Sequence, residues 1–249
     1  MPSSNQPLSG KVAIVTGAGR GIGRAIALGY AQAGAAVCCA ARTAGEIEAV
    51  AGEINQDGGQ AIAVPTDVVQ LDAVIGMVQQ TVDAFGGLDI LVINAGGNLD
   101  RATIEASDPA GWQATLDLNL TGAYHCAKAA VPHLKQRGAG KIITIGSGLG
   151  HKGAAGGAAY ACSKAGLWML TRVLAQELWA DNISVNELIP GPVETTLTGD
   201  LSKNRGGVFS IGSEWLKYPE DVVPLALFLA TQPQVGPTAQ SFSLMRRDT

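Results

Sequence analysis

Lys11-Val-Ala-Ile-Val-Thr16, followed at once by Gly17-Ala-Gly-Arg-Gly21-Ile-Gly23, decides how the rest of the chain is read. A short apolar run rich in β-branched residues is a strand buried on both faces, and the helical run Arg24 to Ala33 begins where the glycines end. Strand, glycine turn and helix arrive in the order a phosphate site needs. Glycine permits positive φ and close approach of the backbone, and a helix N-terminus offers unpaired N–H groups to a pyrophosphate. Glycine alone says little in a chain with 33 of them; the placement between strand and helix gives the motif its weight.

Outward from this stretch the alternation repeats. Ala35 to Ala41, Gln60 to Thr66, Leu88 to Ile93, Lys141 to Ile145 and Ile183 to Ile189 read as strands. Thr43 to Gln56, Leu71 to Phe85, Pro109 to Lys135 and the stretch from Ala158 to Trp179 read as helices. A last helix near Pro219 to Ala230 and a short strand near Gln240 to Leu244 close the chain. Such alternation implies parallel pairing through right-handed crossovers. The expected fold is α/β: a single Rossmann-type, doubly wound domain over 1–249, with about seven parallel strands and helices on both faces. Pro190 to Lys217 is rich in Gly, Thr and Ser with weak periodicity, which makes 190–217 a candidate substrate lid.

Composition narrows the partners. Hydrophobic residues make up 47% and charged residues 15% of the chain, enough for a large core. A formal charge of −4 without a run of lysine or arginine gives nucleic acid or an anionic membrane no footprint. With no signal-like start and no long apolar run, the expectation is a cytoplasmic protein acting on small molecules. Cys38, Cys39, Cys126 and Cys162 form no CxxC pair, so they read as buried, reduced thiols, with neither a metal site nor a disulfide framework.

The chemistry is expected around Tyr160-Ala-Cys-Ser-Lys164. Residues four apart share a helix face, so the Tyr160 phenol and the Lys164 ammonium can enter one pocket. Bringing a tyrosine from ~10 to about 7 takes roughly 4 kcal/mol. One unit charge at about 4 Å supplies that amount at an effective dielectric near 20. Tyr124 and Lys128 repeat the offset, but only Tyr160 follows a strand that ends in Gly146-Ser147, at the sheet edge where ligands of open α/β folds bind. Tyr124 therefore reads as a helix residue packed on a neighbour.

In order and spacing, Thr16-Gly17-x-x-x-Gly21-Ile22-Gly23, Asn94-Ala95-Gly96, Asn119, Ser147, Tyr160-x-x-x-Lys164 and Pro190-Gly191 resemble the short-chain dehydrogenase/reductase family, in the style of its 3-oxoacyl-carrier-protein reductase branch. The resemblance implies hydride transfer between a nicotinamide dinucleotide and a carbonyl or alcohol carbon. It implies Tyr160 as acid-base residue, Ser147 on the substrate oxygen, Lys164 lowering the tyrosine pKa and holding the nicotinamide ribose, and Asn119 positioning a water. Gly17, Gly21, Ile22 and Gly23 would line the pyrophosphate, Asp67 and Val68 would flank the adenine, and Asn94, Ala95 and Gly96 would sit by the adenosine ribose. Thr195, after Pro190 and Gly191, would meet the carboxamide.

Ala40-Ala41-Arg42-Thr43 ends the second strand without a carboxylate. Arginine there complements a ribose 2′-phosphate, with Arg20 as a second cation, so the expected cofactor is NADP(H), NAD(H) being possible. Two departures from the family pattern stand out: Ile93 precedes Asn94, and Ser243-Leu-Met-Arg-Arg247 replaces the usual Val-Asp-Gly-Gly. His151 reads as a solvated loop residue. The alanine-rich Pro109 to Lys135 and Ala158 to Trp179 helices, carrying Trp112, Trp168, Leu178 and Trp179, suggest a homo-oligomer, tetramer or dimer. Trp215, in the candidate lid, could face the substrate. The leading expectation is a ketone reductase; the alternatives are an alcohol, sugar or steroid dehydrogenase oxidising with NAD, and a non-catalytic dinucleotide-sensing regulator.

Overall fold

The computed structural model describes residues 6–195, 198 and 215–245, so most of the candidate lid, and Arg246 and Arg247, lie outside the described residues. The strands are β1 (Val12–Thr16), β2 (Ala36–Ala41), β3 (Gln60–Pro65), β4 (Ile90–Ile93), β5 (Gly140–Ile145), β6 (Ile183–Ile189) and β7 (Ser241–Ser243). They form one sheet, parallel throughout, in the order β3-β2-β1-β4-β5-β6-β7. The chain walks outward from β1 to β3, then returns to the centre and walks the other way from β4. The resulting switch point lies between β1 and β4, and a crevice opens there at the carboxyl ends.

The helices are α1 (Gly21–Gln32), α2 (Ala44–Gln56), α3 (Leu71–Phe85), α4 (Pro109–Leu116), α5 (Gly122–Arg137), α6 (Leu149–Lys152), α7 (Ala158–Leu178) and α8 (Val223–Ala230). Successive side chains of a strand face opposite layers, and the neighbouring cysteines of β2 show it. Cys39 packs with Ile26, Tyr30, Ile47 and Leu229 under α1, α2 and α8. Cys38 packs with Val74, Met77, Ala127 and Leu174 under α3, α5 and α7. Burial pushes the Cys38, Cys39 and Cys126 thiols up to about 12. Cys162 is exposed.

Local chemistry sets the helix ends. Asp108 accepts from the N–H groups of Ala110 and Gly111, and Pro109 takes the first position of α4, where its missing N–H costs nothing. α3 stops at Gly86, whose φ of 79° is the left-handed cap that glycine adopts without strain. The single helix expected from Pro109 to Lys135 is instead α4 and α5 joined by a π turn, Asp117–Thr121. π turns cluster at functional sites, and this one carries Asn119.

The amino edge of the sheet is tied by Asp89. Its carboxylate is nearly buried and accepts from the Val12 N–H at 3.0 Å, the Lys11 ammonium at 3.1 Å and the Arg137 guanidinium at 3.2 Å.

Candidate active site

At the carboxyl end of β1, Thr16 knots two strands together. Its hydroxyl donates to the Val92 carbonyl at 3.2 Å and accepts from the N–H groups of Asn94 (3.0 Å) and Ala95 (3.1 Å). The Asn94 amide donates in return to the carbonyls of Thr16 (2.8 Å) and Gly17 (3.2 Å). Thr16 enters the sequence motif without a role of its own; a hydroxyl ending a wholly apolar strand was the available signal for one.

Gly17 then turns with φ at 66°, and a Cβ on it would lie 2.8 Å from the Asn94 amide nitrogen. Gly23 packs against the Gly17 carbonyl, with no room for a side chain. Among the described residues no side-chain cap is made at the N-terminus of α1, where Arg20 precedes Gly21, Ile22 and Gly23. A backbone concavity over an uncapped helix N-terminus fits a pyrophosphate. Thr195 closes one side, its methyl 3.3 Å from where a Cβ on Gly21 would stand, after Pro190 and a Gly191 at φ 71°.

Beside β2 a cleft of about 410 Å³ is lined by Arg42, Asp67, Val69, Gln70, Leu99 and Thr121, among others. Arg42 and Asp67 thus line the same cleft. Val68 does not join them: it is buried against Gly122, and its carbonyl bonds to the His125 ring. The neighbouring Val69 takes the wall. Asp67 accepts from the Val69 N–H at 3.2 Å. Arg20 pairs with Glu46 at 3.6 Å on the surface, so of the two arginines Arg42 faces the cleft.

Further along the carboxyl edge, Asn119 is buried in its π turn. Its side chain accepts from the Gly97 N–H (2.9 Å) and donates to the Gly97 carbonyl (2.7 Å) and the Ser163 hydroxyl (2.9 Å). Both amide hydrogens are engaged, so this side chain can only accept from a water. Gly96 packs on it, and a Cβ there would meet the Asn119 carbonyl oxygen at 2.7 Å and the Lys164 ammonium at 3.5 Å.

Ser147, Tyr160 and Lys164 come together here. The Ser147 hydroxyl oxygen accepts from the Leu149 N–H at 3.2 Å, which leaves its hydrogen for the Tyr160 phenol. Lys164 is buried, donates to the Ile145 carbonyl at 2.8 Å and stands 5.8 Å from the Tyr160 ring centroid. The expected lowering of the phenol is not what the surroundings give. Burial pushes the Tyr160 pKa up, and the Ser147 hydrogen bond and the field of Arg101 act against that. Burial pulls Lys164 from 10.5 down to about 8, while the charge of Glu187 acts in the opposite direction.

Glu187 and His151 were not foreseen in this role. His151 is solvent-exposed but stands in α6 rather than in a loop, and its ring has partners: it lies 3.0 Å from a Glu187 carboxylate oxygen and edge-on to Trp168. Trp215 stays exposed at a second cleft, of about 370 Å³, with Leu216, Lys217, Asp221 and Leu244.

A family model described as short chain dehydrogenase matches residues 11–206. A Synechocystis 3-oxoacyl-[acyl-carrier-protein] reductase is 38% identical over 95% of this chain and 96% of its own length. A cis-4-hydroxycyclohexanecarboxylate dehydrogenase from Sinomonas cyclohexanicum is 36% identical over 89% of both chains. Among solved structures, a Beutenbergia cavernae protein proposed as an NAD(P)-dependent gluconate 5-dehydrogenase, with NADP bound at low occupancy, superposes with a TM-score of 0.87 at 36% identity, covering 96% of this chain and 97% of that one. With a glycine cradle, a serine-tyrosine-lysine edge and relatives of this kind along nearly its whole length, the chain belongs to the short-chain dehydrogenase family and is an NAD(P)-dependent oxidoreductase.

Proposed function

We propose that the chain transfers a hydride between NADP(H) and a ketone or secondary alcohol, working as a reductase of 3-oxoacyl-like carbonyls with Tyr160 as general acid-base. The observation that carries this reading is the half-buried Tyr160 phenol, which the Ser147 hydroxyl faces, with the buried Lys164 ammonium 5.8 Å from its ring centroid. Bound NADPH supplies the two electrons as hydride to the carbonyl carbon. With substrate bound, the single Ser147 hydrogen turns from the Tyr160 phenol to the substrate oxygen, and the Tyr160 phenol gives that oxygen its proton. Lys164 holds the nicotinamide ribose and stabilises the phenolate left behind. Asn119 accepts from a water that returns a proton toward Lys164.

A raised phenol pKa suits reduction, because the protonated acid is the form that must be ready when the carbonyl oxygen gains charge. The oxidative reading, on a ring or sugar hydroxyl, draws support from the cis-4-hydroxycyclohexanecarboxylate dehydrogenase relative. The preference for NADP(H) rests on Arg42 in the cleft wall at the end of β2, where no carboxylate from that strand competes for the ribose 2′-hydroxyl. The protein also forms a homo-oligomer through α5 and α7, and works in the cytoplasm. A panel of 3-oxo esters, cyclic ketones and sugars, followed by NADPH and NADH consumption, tests the reading. Reduction of 3-oxo esters with NADPH supports it, and turnover confined to sugars or ring alcohols with NAD would replace it.

A further inference from the structure

Glu187 lies in β6 between Asn186 and Leu188 and is completely buried. A carboxylate in such a place requires partners, and two elements provide hydrogen bonds to it. His151 Nε2 lies 3.2 and 3.0 Å from its two oxygens. A carboxylate only accepts, so that nitrogen carries the hydrogen it donates. The Ser241 hydroxyl of β7 donates to the same group. Gly146, the residue before Ser147, packs so closely on the carboxyl that a Cβ could not be accommodated.

Beyond His151 the network reaches α7. The imidazole meets the Trp168 ring edge to face, with centroids 5.2 Å apart, and the Arg172 guanidinium lies 4.2 Å over the other ring. His151 belongs to α6, a single turn that cannot hold itself in place. Gly150 of the same turn lies on the Lys164 backbone, where a Cβ would be 2.8 Å from the Lys164 carbonyl carbon. Ile145-Gly146 is thereby caught between the Lys164 ammonium, bonded to the Ile145 carbonyl, and the Glu187 carboxylate under Gly146.

We propose that Glu187 is a positioning residue for the acid–base step, acting through His151 on the Ser147 loop and through space on Lys164; this rests on the reading of Ser147, Tyr160 and Lys164 given above. His151 anchors the turn whose Leu149 N–H orients the Ser147 hydroxyl toward the phenol. The charge of Glu187 favours the ammonium form of Lys164 where burial disfavours it. The groups that face the carboxylate are His151 from α6, Lys164 from α7 and Ser241 from β7, while Tyr160 shares its side of α7 with Lys164 and is itself under the field of Arg101.

The test compares Glu187→Gln, Glu187→Asp and His151→Gln in the full chain. Two readouts are used: amide hydrogen exchange across Gly148–Gly153, and the pH profile of kcat with NADPH on the most active ketone of the panel. Glu187→Gln should speed exchange in that turn, lower kcat between about tenfold and a hundredfold, and move the alkaline limb of the profile down by about one pH unit or more. His151→Gln should loosen the turn and lower kcat but leave the limb in place, because the charge beside Lys164 remains. Glu187→Asp, which keeps that charge, should restore the limb, and it carries the test if Glu187→Gln does not fold. Wild-type exchange in both Glu187→Gln and His151→Gln, or an unmoved limb in Glu187→Gln, overturns the proposal. Tyr160→Phe, run alongside, separates the two readings: an active Tyr160→Phe enzyme overturns the acid-base assignment itself, whereas an inactive one beside an unaffected Glu187→Gln overturns only the role of Glu187.

Discussion

Tyr160 and Tyr124 each precede a lysine by four residues, yet Tyr160 is half-buried, facing Ser147 beside the buried Lys164, and Tyr124 is 46% exposed beside Lys128. Tyr160→Phe removes one oxygen from the first, so turnover should fall by about 10² to 10⁴-fold while NADPH fluorescence titration shows unchanged binding. Tyr124→Phe should alter neither turnover nor thermal midpoint, since an exposed hydroxyl gives up only water. Lys164 supplies a pH prediction. Its pKa falls from 10.5 to about 8 on folding, so kcat should decline as pH rises through about 8 and the ammonium is lost. The sign for stability is opposite: protonation of this lysine is disfavoured in the fold, so its cost is present at neutral pH and is relieved between about 8 and 10.5. Thermal midpoints of wild type and Lys164→Met across that window should converge as pH rises. Ser147, Tyr160 and Lys164 were legible because a strand ending in serine and a four-residue offset are both local patterns. Glu187 and His151 were not, because their meeting depends on β5 and β6 lying side by side, a tertiary relation that no sequence window contains. A single acid in a strand that also holds Ile, Val and Leu was the one hint.

At the level of elements, the strands and helices read from periodicity reappear with most boundaries moved by a residue or two; α1 starts three residues early, at Gly21, the last helix opens with a 3-10 turn at Pro219–Val222, and Leu71–Phe85 and Ile183–Ile189 are unchanged. Buried parallel strands announce themselves as apolar runs, and glycine marks the ends of α3 and α5. The π turn at Asp117–Thr121 left no such mark, having neither glycine nor proline within it; it is set by Asn119 bonding across to Gly97 and Ser163. Two predictions belong at this scale. Asp89→Ala strips the Val12 N–H, Lys11 and Arg137 of a shared acceptor and should lower unfolding stability by about 2 kcal/mol with kcat unchanged, as urea denaturation and a turnover assay would show. At the end of β2, Arg42→Ala should weaken NADPH about tenfold relative to NADH, a loss of about 1.4 kcal/mol. Fluorescence titration of both cofactors checks it, and equal losses for the two would remove the assigned preference.

Across the whole molecule, the outer face of α7 exposes Met169 and Val173, and α5 exposes Tyr124. Trp168 and Leu178, expected on that face, are taken up instead by His151 and Arg172 and by the core. A partner covering the remaining apolar groups gives the expected oligomer, and light scattering at micromolar concentration should return a mass above the 25.4 kDa of one chain. A monomer would reject that interface. The sheet itself carries a further implication. Because its seven strands are parallel, every amino end collects on one rim and every carboxyl end on the other. The Asp89 cluster lies on the first rim, and Thr16, Asn94, Ser147 and Gly191 on the second. Robustness and chemistry are therefore addressable apart: a protein engineer can harden the first rim with new caps and ion pairs, and diversify loops on the second, with little cross-talk between the two campaigns.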